Sequence, residues 1–199
     1  MGADLSRGEF HQAEGWAADD IAEILISEAE LQAKVRELGA IISSDYAGQD
    51  LVLVSVLRGG FIFLADLCRV ITLPVTIDLI AVSSYGPGAK PSGVVKILKD
   101  LDESIAGRAV LVIEDVIDTG LTLNYLLRNL EPRAPASLKV CVLLDKSARR
   151  IVDLPIAYLG FELPDKFVVG YGLDYRQQYR NLPFIATLTK EAFDRLNQQ

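Results

Sequence analysis

The sequence predicts an α/β protein built on a mostly parallel, twisted sheet flanked by helices on both faces. Three observations carry that expectation. Apolar runs rich in Val, Ile and Leu, such as Leu51 to Leu57 and Ala109 to Glu114, lack the polar alternation of a half-wet strand, so they read as strands buried on both faces. Between the runs lie segments whose apolar residues recur at helical spacing, for example Leu123, Leu126, Leu127 and Leu130. The two patterns alternate along most of the chain, as parallel strands joined by helical crossovers require.

Residues 1–18 are polar and patternless, and a frayed tail is expected there; the only histidine, His11, falls within it and is given no catalytic part. Ala22 to Ile26 is short and apolar, open between strand and helix. Ser27 followed by Glu30 is a capping-box pair, and behind it Leu31, Val35, Leu38 and Ile42 mark one face of a helix reaching about Tyr46. Leu51 to Leu57 is a strand broken by Arg58, Gly59 and Gly60, after which Phe61 to Val70 suits a buried helix. Val75 to Ser83 is a strand, Ala109 to Glu114 another, Thr119 to Leu130 a helix, and Leu138 to Leu144 a strand. Shorter strands are expected at Ile156 to Phe161, Phe167 to Gly170 and Phe184 to Thr189. Ligands of such sheets lie beyond the carboxyl ends of the strands, which singles out the loops 58–60, 83–93, 114–122, 145–150 and 171–180.

The chain has 199 residues, half of them hydrophobic and 24% charged, with 20 Lys and Arg against 27 Asp and Glu. That balance excludes a disordered chain and a collagen-like repeat, and fits one domain over 1–199 with a substantial core. The net charge of −7 argues against a general nucleic-acid surface, so any anionic ligand must be held by local devices. No apolar run approaches the ~18–20 residues of a membrane span. Cys68 and Cys141 are too far apart for metal-ligand spacing and read as reduced core residues of a cytoplasmic protein. The N-terminus lacks the layout of a signal peptide. Gly2 and Ser6 satisfy the permissive myristoylation pattern, but no polybasic segment accompanies them.

The most informative stretch runs from Val110 to Thr122. An apolar strand leads into Glu114 and Asp115, then Asp118, Thr119 and Gly120, with Thr122 in the opening turn of a helix. Asp118 to Thr122 offers backbone amides, two hydroxyls and a helix N-terminus, together a seat for a phosphate monoester. Gly120 lets the backbone approach the anion closely. Glu114 and Asp115 would instead accept hydrogen bonds from sugar hydroxyls or sit near a divalent cation. A capping Asp beside solvated acids is the plainer alternative for an isolated Asp-Thr-Gly.

At these residues the sequence resembles the type I phosphoribosyltransferases, whose hallmark is an apolar strand, two acids and an Asp-Thr-Gly-x-Thr loop. Within them it is similar to the bacterial hypoxanthine-guanine phosphoribosyltransferases. The resemblance extends from about Ile24 to Thr187 in the family's order: Leu25 to Ser27, Val56 to Gly60, Val82 to Gly86, Glu114 to Thr122, Leu143 to Lys146, Pro164 to Gly170, and Leu173 to Tyr175 with Arg180. It implies the family's fold, with a small hood region and a flexible loop. It also implies the reaction: a ring nitrogen of a 6-oxopurine displaces pyrophosphate from phosphoribosyl pyrophosphate, giving a nucleoside 5′-monophosphate with magnesium as cofactor.

By the same resemblance, Asp118, Thr119, Gly120, Leu121 and Thr122 hold the ribose 5′-phosphate, and Asp118 is the proton acceptor near the purine N7. Glu114 and Asp115 address the ribose hydroxyls and, through them, one magnesium; Asp174 matches a ligand of a second. Arg58 and Gly59 match the pyrophosphate loop, whose Arg58–Gly59 peptide can be cis in the family, and Arg180 matches a further pyrophosphate contact. Lys146 would donate to the purine's 6-oxo group, which favours an oxygen there over an amino group that cannot accept. Phe167 would stack on the base and the Val168 carbonyl would meet its edge, with Asp174 nearby. Residues 83–93 match the lid, Ser84 and Tyr85 its Ser-Tyr pair, closing over the substrates.

Leu121 departs from members that carry Lys there, leaving the 5′-phosphate to amides and hydroxyls. Bacterial-type members resemble this chain at that position. An adenine enzyme would not want Lys146 as a donor, and an orotate enzyme lacks the Phe167 to Gly170 arrangement. An RNA-binding regulator of a pyrimidine operon on the same fold would be expected to show a basic face and to lack Asp118. No Gly-x-Gly-x-x-Gly follows a strand, against a dinucleotide-binding oxidoreductase. The choice among hypoxanthine, guanine and xanthine stays open. A homodimer or homotetramer is expected by analogy with the family, and Phe61, Phe63 and Leu64 could serve either a core or a subunit contact.

Overall fold

A computed structural model of the chain describes residues 17–83 and 96–198. In chain order its elements are β1 (Ile21–Ile26), α1 (Glu28–Asp45), β2 (Leu51–Leu57), α2 (Phe61–Val70), β3 (Val75–Ser83), β4 (Lys96–Lys99), β5 (Ala109–Ile117), α3 (Leu121–Leu130), β6 (Ser137–Asp145), β7 (Ile156–Glu162), β8 (Ile185–Leu188) and α4 (Lys190–Asn197). The chain divides into two compact units, Val35–Asp165 and a smaller one joining the residues up to Lys34 with those from Lys166 onward.

The larger unit holds a six-stranded sheet in the order β4-β3-β2-β5-β6-β7. β3, β2, β5, β6 and β7 run parallel, and β4 alone is antiparallel, on the edge beside β3. Because side chains alternate across a strand, the uninterrupted apolar runs feed two cores. On one face Val52, Val54, Val56, Val110, Val112, Val140 and Val142 pack with Leu123, Leu126 and Leu130 of α3. Leu51, Leu53, Leu111, Ile113, Cys141 and Leu143 are equally buried from the other side. There α2 contacts β2 and β5 and contributes Phe63, Leu64 and Leu67, while α1 contributes the buried Val35, Leu38 and Ile42. Each such side chain is worth roughly 1.5–3 kcal/mol once removed from water. Gly39 lets α1 close on α2, since a Cβ there would stand 2.5 Å from Val70 Cγ2. Phe63 and Leu64 are therefore core, whereas Phe61 is left 43% exposed.

β4, Lys-Ile-Leu-Lys, lies outside the expected elements. It is held by the buried Asp78 of β3, whose carboxylate accepts from the amides of Leu79 and Asp102 at 2.7 and 2.8 Å and from Lys99 Nζ at 3.4 Å.

In the smaller unit β1 pairs antiparallel with β8, which settles Ala22 to Ile26 as strand. Its core gathers Ala17, Val169, Tyr179, Leu182, Phe184, Ala186 and Leu188 with Ala192 and Leu196 of α4. Ala17 is fully buried and Ala18–Asp20 form a 3-10 turn, so residues 17 and 18 of the stretch expected to fray are ordered; residues 1–16 lie outside the described residues. The buried Asp20 ties this unit together, accepting from Tyr179 Oη at 2.8 Å and from Arg195 Nη2 at 2.7 and 2.6 Å. α4 was not expected. The strand expected at Phe167 to Gly170 does not form beyond isolated bridges from Val169 to Ala186 and Gly170 to Leu173. The reason is backbone conformation: Gly170, Tyr171 and Gly172 all have positive φ, turning the chain where a strand would continue.

Candidate active site

The sheet order contains one reversal. From β2 the chain moves to β3 on one side and then crosses to β5 on the other, so the carboxyl ends of β2 and β5 flank the point where a ligand of such a sheet sits. The two ends interlock there. A Cβ on Gly59 would lie 1.7 Å from Asp115 Oδ2, and one on Gly60 would lie 2.5 Å from Ser55 Oγ. Only glycine allows the turn after β2 to press this closely on the Asp115 carboxylate, which also accepts from the Val116 amide at 2.8 Å. The cis peptide in this turn joins Leu57 to Arg58, one bond earlier than the resemblance implied. The chain thus turns at the last residue of β2, still paired with Ala81, before Gly59 reaches Asp115.

β5 runs three residues past the expected end, since Glu114, Val116 and Ile117 continue the ladder with Val142, Leu144 and Asp145 of β6. Glu114 is thereby fixed on a strand and buried, and lines a pocket of about 130 Å³ with Val116 to Gly120, Thr122 and Leu123. Burial, and then the neighbouring Asp115 charge, raise its carboxyl well above the usual range. α3 begins at Leu121, later than the expected Thr119, because Gly120 caps it in the left-handed region at φ +81°. The first intrahelical bond, from the Asn124 amide to the Gly120 carbonyl at 2.9 Å, leaves the amides of Leu121 to Leu123 without intrahelical acceptors at the pocket. Thr119 Oγ1 sits 3.4 Å from the Leu121 amide. Behind the loop, the Ile117 and Thr119 carbonyls accept from the amides of Lys146 and Ile151, both at 3.0 Å. The loop is thus pinned by two of its carbonyl oxygens, and Thr122 and Leu123 of the first helical turn line the pocket.

Lys146 follows β6 and is only 7% exposed, not the solvent-facing lysine usual at such a position. Burial lowers its ammonium pKa, opposed by Asp118 and Asp165 and assisted by Arg149. Arg149, which the sequence reading passes over, bridges two acids: its Nη1 is 3.1 Å from Asp118 Oδ2 and its Nε 2.6 Å from Asp165 Oδ1. The signal for it was a pair of arginines inside the flagged 145–150 loop. Arg149 also places a cation beside the Asp118 to Thr122 loop, which carries Leu121 where a lysine can stand.

In the smaller unit, Phe167 is 48% exposed and Val168 buried. Asp174 and Arg180 form an ion pair at 2.6 Å, and Arg180 Nη1 donates to the Gly172 carbonyl at 2.7 Å. Asp174 Oδ2 accepts from the Gln177 amide at 2.7 Å. A Cβ on Gly170 would stand 1.9 Å from the Phe184 carbonyl oxygen, so the backbone beside Phe167 and Val168 is tightly set. The expected pair Ser84 and Tyr85, with the rest of the lid from residue 84, lies outside the described residues.

Among the described residues no three His, Cys, Asp or Glu side chains gather as a metal site. The desolvated Glu114 beside Asp115 is an acid pair that a divalent cation would relieve.

The phosphoribosyl transferase domain family matches residues 21–176, ending before α4. The chain is 51% identical over 180 residues to the hypoxanthine-guanine phosphoribosyltransferase of Mycobacterium avium, covering 87% of this chain and 89% of that one. It is 51% identical over 165 residues to the hypoxanthine phosphoribosyltransferase of Salmonella typhimurium, with 82% and 93% covered. The crystal structure of a hypoxanthine phosphoribosyltransferase from Staphylococcus aureus superposes with a TM-score of 0.86 at 44% identity, covering 90% of this chain and 98% of that one.

Proposed function

The chain belongs to the phosphoribosyl transferase domain family, and from that premise we infer that it is a purine-salvage transferase moving the phosphoribosyl group of phosphoribosyl pyrophosphate onto hypoxanthine or guanine. The products are IMP or GMP and pyrophosphate. The observation that carries the reading is the pocket at the carboxyl end of β5, where Glu114, Asp118 to Gly120 and Thr122 line a space at the start of α3.

In the reaction the purine N9 forms a bond to the ribose C1′ as the bond from C1′ to the pyrophosphate oxygen breaks. Positive charge grows on the ribose ring, and the leaving group takes the bonding electrons. The amides of Thr119 to Thr122 with the two threonine hydroxyls seat the 5′-phosphate and fix C1′ in place. Glu114 and Asp115 orient the ribose hydroxyls. Asp118 takes the proton that the purine gives up at N7, and Arg149 steadies its carboxylate. Arg58, Gly59 and Arg180, with Ser84 and Tyr85, receive the pyrophosphate. Lys146 donates to the 6-oxo group, Phe167 stacks on the ring and the Val168 carbonyl meets its edge. Glu114 and Asp115, through the ribose hydroxyls, would hold one magnesium and Asp174 would be a ligand of a second, and the metal would supply neutralisation of the leaving charge.

The two units are read as parts of one phosphoribosyltransferase domain, working in the cytoplasm as a homodimer or homotetramer. Free Cys68 and Cys141 and the exposed Phe61 are in keeping with that. Among the described residues no helix is long and apolar enough to cross a membrane. The relatives lend no support to an RNA-binding regulator.

The test is nucleotide formation from phosphoribosyl pyrophosphate and magnesium with hypoxanthine, guanine, xanthine, adenine or uracil. Turnover confined to 6-oxopurines is expected, and the ranking sets the preferred base. A folded protein that turns over none of the five, or prefers adenine, overturns the reading.

A further inference from the structure

We propose that α4 is the platform that holds the Phe167 ring, with Phe193 as a positioning residue for it; this rests on the reading of Phe167 as the ring that stacks on the base. Three rings form a closed set in the smaller unit. Phe167 meets Tyr175 at 5.4 Å between centroids and 78° between planes, and Phe193 at 5.5 Å and 70°, while Tyr175 and Phe193 meet at 4.8 Å and 67°. All three contacts are the edge-to-face kind that the ring quadrupole favours. They grip one side of Phe167 and leave the ring half open.

Phe193 can act as a support because α4 is itself fixed at several points. Thr189 caps it, accepting from the Ala192 amide at 3.2 Å. Ala192 and Leu196 are buried in the core, and Arg195 is paired with the buried Asp20. The helix also holds the second supporting ring, since Tyr175 Oη lies 2.6 Å from Asn197 Oδ1. A half-exposed phenylalanine without such walls would pay rotamer freedom each time it packed on a ligand; here the cost is met in the fold.

The experiment compares Phe193→Leu, which keeps apolar bulk but drops the ring, with Phe193→Tyr, which keeps the ring, and with Phe167→Ala. KM for hypoxanthine, KM for phosphoribosyl pyrophosphate, kcat and melting temperature are read for each. Phe193→Leu is expected to raise KM for hypoxanthine roughly 2- to 10-fold, the scale of one edge-to-face contact, with KM for phosphoribosyl pyrophosphate unchanged. Phe193→Tyr is expected to stay near the parent. If Phe167→Ala raises the base KM and Phe193→Leu does not, or if Phe193→Leu raises both KM values alike, the platform is overturned and the stacking reading stands. If Phe167→Ala itself leaves the base KM unmoved, the stacking reading falls and the platform falls with it.

Discussion

Lys146 and Glu114 are both buried ionisable groups, and burial moves them in opposite directions. For Lys146 the lowered ammonium pKa makes the donor easier to lose at alkaline pH, yet Asp118 and Asp165 oppose that loss. Removing the donor by Lys146→Ala deletes a charged hydrogen bond, worth about 1.5–3 kcal/mol, so kcat/KM for hypoxanthine should fall roughly 10- to 100-fold. Affinity for phosphoribosyl pyrophosphate, measured by titration, should hardly change; equal losses in both would take the 6-oxo contact away from Lys146. For Glu114 the folded-state pKa lies above the unfolded one. Well below the usual carboxylate range the group is protonated in both states and costs nothing. As pH rises, the unfolded chain releases its proton first, so stability drains away until the raised pKa is passed. Glu114→Gln should therefore melt higher than the parent at neutral and alkaline pH and lose that part of the pH slope, while turnover collapses. Parallel melting curves across the range would mean that Glu114 is not desolvated as described.

Elements whose signal is local were legible in the sequence. Ser27 and Glu30 form the expected capping box, with the Ser27 amide donating to Glu30 Oε2 at 2.8 Å and the Glu30 amide to Ser27 Oγ at 3.3 Å. Ser27→Ala should cost about 1 kcal/mol, read as a lower midpoint in urea with an unchanged slope; no shift would show that packing of Leu31 and Val35 alone sets the start of α1. β2, α2 and β3 fall on their expected bounds because apolar runs there end at glycine or polar residues. The misses have one cause, that pairing and backbone conformation are invisible to side-chain pattern. Asp115 to Ile117 look like the start of a loop, yet β5 runs through them, with Val116 and Ile117 paired to Leu144 and Asp145 of β6. Phe167 to Gly170 looks like a strand, yet Gly170 at φ +101° turns it. α4 hides among charges, its apolar side reduced to Ala192, Phe193 and Leu196. In the site, the Asp118 to Gly120 turn into α3 was readable because its residues are adjacent in the chain, whereas Arg149 was not, since only folding brings it to Asp118 and Asp165.

On the scale of the molecule, an acidic chain must bind a substrate rich in phosphate. The net charge of −7 repels it, and the acids lining the pocket, Glu114 and Asp118, offer it no attraction. On the proposed reading the amides at the start of α3 offset part of this, and magnesium arriving with the substrate would offset the rest. Binding of metal and of phosphoribosyl pyrophosphate should then be coupled, each weak without the other. A ligand at about 100 times its Kd stabilises the fold by ~2.7 kcal/mol, which for a chain of this size lifts Tm by roughly 5–10 °C. Melting in the presence of phosphoribosyl pyrophosphate and magnesium together should show that rise. Magnesium alone should show almost none, because no three described side chains gather to hold it, and phosphoribosyl pyrophosphate with chelator should show only a fraction. A full rise with magnesium alone would mean that the protein builds a metal site from its own side chains. The coupling would then have to be sought between the metal and the fold instead of between the metal and the substrate.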